Sequence, residues 1–201
     1  MNEPTVFIVD DDEAVRDSIA ELVGSIGLPA ITFGSAREFL DSYDPHRASC
    51  LVLDVRMAHM SGPALQEKLA EMGATIPIVF ISGHGDIPIA IKAIKAGAVD
   101  FVQKPYGDQQ LLDSINEALQ RDAAARLATR RSDGFEQRLT TLTDRERGVM
   151  KLVMQGWSSK AIANALAISH RTVEVHRSHI LEKFDVRTVP ELIHLATPRP
   201  E

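Results

Sequence analysis

Five polar residues that could act together stand at the ends of apolar runs. Asp10 and Asp11 follow Val6-Phe7-Ile8-Val9, and Asp54 follows Leu51-Val52-Leu53. Ser82 follows Ile78-Val79-Phe80-Ile81, and Lys104-Pro105 lies just beyond the run Val99 to Val102. Short continuous apolar runs ended by polar residues read as strands buried on both faces. In a parallel sheet the functional crevice lies beyond the carboxyl ends of the strands, so these residues should meet at one edge. Clustered carboxylates repel and raise each other's pKa unless a cation joins them. Their hard oxygens, with positions left for water, suit Mg2+. A metal, a nucleophilic carboxylate, a hydroxyl and an ammonium are the parts needed to move a phosphoryl group onto a carboxylate and stabilise its oxygens.

The elements that position these groups alternate. Helical spacing over 13–26 puts Val15, Ile19, Leu22, Val23 and Ile26 on one face, and further helical patterns cover 35–42, 61–72 and 86–96. A fifth pattern starts at Asp108, and Ala30-Ile31 supplies the remaining strand run. Five strand–helix repeats predict a doubly wound α/β domain over residues 1–120. Asp12 reads as the cap of the first helix, where a carboxylate favours the dipole. The helical pattern continues through an Ala/Arg-rich stretch to about Arg131, and Ser132-Asp133-Gly134 is the first expected stop. Residues 121–140 therefore read as a helical or partly helical linker that needs no core, with a flexible connection as the alternative. Residues 141–201 predict an all-α domain of four helices: 144–155, 159–166, 170–184 and 188–196. Thr143 and Glu146 fit a capping box. The short turn Ala167-Ile168-Ser169 between two helices is helix-turn-helix grammar.

Composition narrows the class. Hydrophobic residues make up 44% and charged residues 25%, which is ordinary for a soluble globular chain. No apolar run approaches the roughly 20 residues needed to span a bilayer, and the N-terminus lacks a basic stretch before an apolar core, so no membrane association and no signal peptide are expected. The single cysteine, Cys50, sits among Leu51, Val52 and Leu53 and reads as a buried small hydrophobe. These features point to the cytoplasm. The net charge of −6 is uneven: residues 1–120 carry 8 basic and 18 acidic side chains, and residues 121–201 carry 14 and 10. A basic C-terminal part of net +4 is compatible with nucleic acid despite the acidic total.

The 170–184 helix carries the strongest nucleic-acid pattern. Val173, Ile180 and Phe184 share one face, while Arg171, Glu174, Val175, Ser178 and Glu182 lie opposite. The outward set offers a cation, acceptors, a hydroxyl and an apolar tip, suited to base edges in the major groove. Val175 fits a thymine methyl, and Glu174 fits the cytosine amino group. Lys160, Thr172, His176 and the backbone at Ser159 fit phosphate contacts. Arg177 falls near the core-facing side and reads as a phosphate contact or an intramolecular pair. A four-helix protein-interaction module is the alternative.

With these residues in place, the N-terminal half resembles the receiver domain of two-component response regulators, the CheY-like fold. Leu142 through Leu195, and above all Ser169-His170-Arg171-Thr172-Val173-Glu174-Val175-His176-Arg177, resembles the LuxR/GerE-type helix-turn-helix. The combination resembles the FixJ/NarL class, closest to FixJ. Gly83-His84-Gly85-Asp86, read as a surface loop, and Lys95 through Phe101 add to that likeness. The resemblance implies that Asp54 accepts the phosphoryl group from a sensor histidine kinase. It implies Mg2+ bound by Asp11, Asp54 and the main-chain carbonyl of Arg56, with Asp10 assisting. It also implies phosphoryl contacts from Ser82 and Lys104, a switch role for Phe101 and a cis Lys104–Pro105 bond. The implied function is regulation of transcription without enzymatic turnover. The implied partners are double-stranded DNA, a homodimer partner formed on phosphorylation, and RNA polymerase. One departure stands out: after Met57 the family usually has proline, and here Ala58 should leave the loop less restrained. A receiver that serves only as a dimerisation scaffold and a Mg2+-dependent phosphatase are the competing readings. The intact pocket speaks against the first, and the lack of a separate substrate domain against the second.

Overall fold

A computed structural model of the chain describes residues 3–83 and 87–196, with Arg131 described by its backbone only. His84, Gly85 and Asp86 lie outside the described residues. The chain divides into two compact units at Arg126/Leu127.

The first unit contains β1 (Thr5–Val9), α1 (Glu13–Ser25), β2 (Ala30–Phe33), α2 (Ala36–Ser42), β3 (Ser49–Asp54), α3 (Gly62–Glu71), β4 (Ile78–Ser82), α4 (Ile87–Lys95) and β5 (Asp100–Gln103). It ends within α5 (Asp108–Thr140). The five parallel strands lie in the order β2-β1-β3-β4-β5. Every residue of β1, β3 and β4 is buried, as continuous apolar runs require. Alternation along the strands divides the core in two. Phe7, Leu51, Leu53 and Phe80 pack with Phe39, Leu65, Leu69 and Ala93 on one face of the sheet. Val6, Ile8, Val52, Val79 and Val102 pack with Ile19, Val23, Leu111 and Ile115 on the other. Asp12 caps α1 by accepting the Ala14 N–H, as its position predicts. The two edge strands are offset from their apolar runs: β2 continues to Phe33, and β5 begins at Asp100 rather than Val99.

The expected stop at Ser132-Asp133-Gly134 does not occur, and α5 runs unbroken to Thr140. A glycine inside a helix costs only about 1 kcal/mol relative to alanine. Beyond it, Phe135 and Leu139 pack on the core of the second unit, which offsets that cost. The stretch 121–140 is also less free of packing than its composition suggests. Asp122 is buried and accepts the Ser49 N–H at 3.1 Å, and Arg126 pairs with Asp122 at 2.7 Å while donating to the Arg47 carbonyl.

The second unit contains α6 (Asp144–Met154), α7 (Ser159–Leu166), α8 (His170–Lys183) and α9 (Val189–Ala196) around Val149, Val153, Ile162, Val173, Ile180, Phe184 and Leu192. The Thr143–Glu146 capping box forms. The buried Glu146 carboxylate also takes the Lys183 ammonium at 2.7 Å, which ties α6 to α8. The turn between α7 and α8 is tight because Ala167 adopts φ 54° and Ser169 caps α8.

Candidate functional site

Strand register brings the acidic residues together. Val9 pairs with Leu53, so Asp10 and Asp54 end adjacent strands; Asp54 pairs with Ile81, and Ser82 pairs with Gln103. The chain passes from one side of β1 to the other between β2 and β3, the switch point where open α/β sheets bind ligands. Lys104 therefore arrives beside both carboxylates. Its Nζ donates to Asp10 Oδ2 and Asp54 Oδ1, each at 2.9 Å. Its own N–H donates to the Ser82 carbonyl at 2.7 Å, and the Lys104–Pro105 bond is cis.

Asp10 is 2% exposed and Asp54 7%. Asp10 Oδ1 accepts the Asp12 N–H, and its carbonyl accepts Arg16 Nη1 at 2.8 Å. Asp54 Oδ2 accepts the Arg56 N–H at 2.7 Å, which fixes the carboxylate plane from the opposite side to Lys104. Burial pushes the Asp54 carboxyl above the usual carboxylate range, and the neighbouring Asp10 adds to the rise, while the Lys104 ammonium and the Arg56 N–H oppose it. Burial disfavours the Lys104 ammonium, but the hydrogen bonds and charges of Asp10 and Asp54 outweigh that, so Lys104 holds its proton above the ordinary lysine value. Asp54 is thus a desolvated carboxylate held by one persistent cation, a suitable arrangement for a nucleophile.

Asp11 faces the other way. It is exposed, and Oδ2 accepts the Ala58 N–H at 2.9 Å. Proline at 58 would lack that donor, so the loop after Asp54 has a hydrogen bond to Asp11 where the usual family residue would have ring rigidity. Among the described residues no three carboxylates are gathered around one point, because Lys104 takes Asp10 and Asp54 while Ala58 takes Asp11. Ser82 is buried at the end of β4. Phe101 is half-buried on β5, its ring 6.4 Å from that of Phe80 in the core beneath Asp54.

In the second unit, Val173 and Ile180 of α8 are buried, while Arg171, Glu174, Val175 and Ser178 are exposed, along with Lys160 of α7. Thr172 and His176 are half-buried. The Thr172 N–H is taken by the Ser169 cap at 3.0 Å, and its hydroxyl lies 2.8 Å from Ser169 Oγ, so neither is idle. Arg177 donates to Ser159 Oγ at 3.1 Å, the intramolecular alternative of its two readings, and this bond joins α8 to the first turn of α7.

Three residues with defined geometry escaped the sequence reading. Gly62 begins α3 so close to β3 that a Cβ would sit 2.9 Å from Phe80 Cε1 and 3.2 Å from the Asp54 carbonyl carbon, and closer still to its oxygen. Gln66 and Asp122 are buried polar residues that bond main-chain groups 27 or more positions away. Local periodicity carries no signal for such contacts.

Comparison with known proteins agrees with the two-part architecture. Residues 6–116 match the response regulator receiver domain, and residues 140–196 match the bacterial regulatory proteins of the luxR family. Nodulation protein W of Bradyrhizobium diazoefficiens is 44% identical over 95% of this chain and 84% of its own length. Transcriptional regulatory protein FixJ of Rhizobium meliloti is 40% identical over 98% and 96% respectively. Among solved structures, response regulator StyR is 46% identical with a TM-score of 0.86, covering 96% of this chain and 98% of that one. Full-length FixJ from B. japonicum is 35% identical with a TM-score of 0.61, covering 98% and 97%. The chain belongs to the response regulators, with a receiver domain followed by a LuxR-type DNA-binding domain, the arrangement of FixJ-class regulators of transcription.

Proposed function

We propose that Asp54 accepts a phosphoryl group from a sensor histidine kinase, and that the modification controls dimerisation and sequence-specific binding of duplex DNA. The observation that carries this reading is the buried Asp54 carboxylate held 2.9 Å from the Lys104 ammonium at the carboxyl edge of the sheet. An Asp54 oxygen attacks phosphorus, the P–N bond of the phosphohistidine breaks, and the imidazole leaves with its electron pair and takes up a proton. Lys104 stays protonated throughout and draws the new anionic oxygens toward β5, while the Ser82 hydroxyl donates to them and Phe101 responds to the shift.

The donor set suits a hard divalent cation once Asp11 leaves the Ala58 N–H and turns toward Asp10 and Asp54. Asp10, Asp11 and Asp54 exceed the charge of Lys104 by two, and all their donors are oxygen. Mg2+ held by these carboxylates and the Arg56 carbonyl would neutralise charge on the phosphoryl oxygens. The output surface is α4, where Ile87 is 69% exposed, Ile91 51% and Ile94 45%, while Ala93 is buried and Ile89 packs on the core. Such a row of exposed isoleucines suits a second copy of the chain. Dimerisation brings two α8 helices to two half-sites. Arg171, Glu174, Val175 and Ser178 then meet base edges, Ser159, Lys160, Thr172 and His176 face phosphates, and Arg177 reaches a phosphate only by leaving its bond to Ser159. Residues 1–120 act as receiver, 121–140 as the helical connection and 141–201 as the reader, with RNA polymerase the further partner in the cytoplasm. Among the described residues no helix is long and apolar enough to cross a membrane.

Incubation with acetyl phosphate and Mg2+, followed by intact mass, tests the reading. A gain of one phosphoryl group is expected, lost in Asp54→Asn and on chelation with EDTA. No gain would support a dimerisation scaffold, and repeated turnover of an added phosphoester would support a phosphatase.

A further inference from the structure

We propose that Gln66 is a positioning residue through which α3 couples the backbone of Asp54 to the end of α4. This rests on the reading of Asp54 and α4 above, and it adds a route distinct from Ser82, Lys104 and Phe101. Gln66 is 7% exposed. Its Nε2 donates to the carbonyls of Ala93 at 3.2 Å and Ala96 at 3.3 Å, in the last turn of α4 and just past it. Helix ends leave such carbonyls without intrahelical partners. The Ala93 carbonyl also accepts the Ala98 N–H at 3.0 Å, next to Gly97 with φ 95°. One carboxamide therefore spends both donor hydrogens holding the end of α4. A buried amide is unfavourable without such bonds, whereas an apolar side chain in its place would need none.

The other end of α3 is seated with equal tightness. Gly62, four residues before Gln66 and so on the same face of the helix, abuts the Asp54 carbonyl and the Phe80 ring. Its N–H donates to the Val55 carbonyl at 3.1 Å. Nothing larger than hydrogen fits there without displacing the Asp54 backbone. The ten-residue helix thus touches Asp54 at its first turn and grips α4 one turn later. Close-packed interiors do not absorb shifts smoothly, so a change in position at Asp54 must be passed on through α3 or resisted by it. The element it holds carries the exposed isoleucines of the output surface.

The test uses the full chain, wild type and Gln66→Met, which keeps length but has no donor. Gln66→Asn, which keeps the amide but is one methylene shorter, is the second variant. Hydrogen exchange by mass spectrometry follows α4, with α1 and α2 as controls. Sedimentation gives the dimer constant, and intact mass gives phosphoryl uptake, each with and without acetyl phosphate and Mg2+. In both variants α4 should exchange about tenfold faster before any phosphoryl transfer while α1 and α2 stay as in wild type. Phosphoryl uptake should stay within about twofold of wild type, while the factor by which it tightens the dimer falls by about three- to thirtyfold. Unchanged α4 exchange overturns the proposal. So does an intact dimer response with a looser α4, which leaves Gln66 as a helix cap only, or faster exchange in all three helices alike, which makes its loss a general destabilisation. If wild type takes up no phosphoryl group, the reading of Asp54 fails visibly, and α4 exchange in the unmodified variants still decides whether Gln66 holds that helix.

Discussion

Replacing Glu146 by glutamine should destabilise the DNA-binding unit at neutral pH and do so progressively less in acid. Glu146 accepts the Thr143 N–H at 2.8 Å, the Thr143 hydroxyl at 2.9 Å and the Lys183 ammonium at 2.7 Å. Burial alone would raise its pKa, but these donors overcome burial and hold the carboxyl at about 2, against 4.5 for a free glutamate. Since the folded value is depressed, the stabilisation is complete above pH 4.5 and is lost as pH falls through about 2. The difference corresponds to about 3 kcal/mol as an upper figure. The Lys183 side chain is 32% exposed, so water screens part of its share, and about 2 kcal/mol is the working value. Urea unfolding followed by the fluorescence of Trp157, the single tryptophan, reports on this unit. The wild-type advantage over Glu146→Gln should be about 2 kcal/mol at neutral pH and about half that near pH 3. Lys183→Met should cost more than Glu146→Gln, because it leaves a buried carboxylate without its cation. An advantage that is the same near pH 3 as at neutrality would refute the assignment of the stabilisation to the ionised carboxylate.

Other consequences are open to direct measurement. Asp122→Leu strands the buried Ser49 N–H and releases Arg126, so the receiver unit should lose about 1–3 kcal/mol, and Asp122→Asn, which keeps an acceptor, less. Tyrosine absorbance follows it, since Tyr43 and Tyr106 both lie in residues 1–126; equal losses in the two variants would contradict the role of the acceptor. Cys50 is fully buried with its thiol pushed up to about 12, so a thiol reagent at about pH 8 should label it only on unfolding. On duplex DNA selected from a random pool, Lys160→Ala should flatten the salt dependence of binding by about one ion, whereas Val175→Ala should relax sequence preference at one position and leave the slope alone. A slope unchanged in Lys160→Ala would remove Lys160 from the phosphate side.

The sequence by itself determined what depends on neighbours along the chain. Continuous apolar runs ended by Asp10, Asp54 and Ser82 specify strands buried on both faces, and with Lys104 two residues past the run Val99 to Val102 they place those residues at one edge without any coordinates. Thr143 with Glu146, and Asp12 before α1, are caps legible from spacing, because a cap closes over three or four residues. The helix-turn-helix was legible for the same reason, since Val173, Ile180 and Phe184 repeat with the helical period. Tertiary structure decided what depends on residues far apart. That Lys104 lies between Asp10 and Asp54, that Asp11 is held by Ala58, and that α5 continues through Gly134 because Phe135 and Leu139 have a core to join are such cases. Gly62, Gln66 and Asp122 read locally as an ordinary helix start, a helix-surface amide and a linker acid. Their distant partners are mainly carbonyls and N–H groups of the main chain, which nearly every residue carries, so no pattern of side chains marks where such contacts will form.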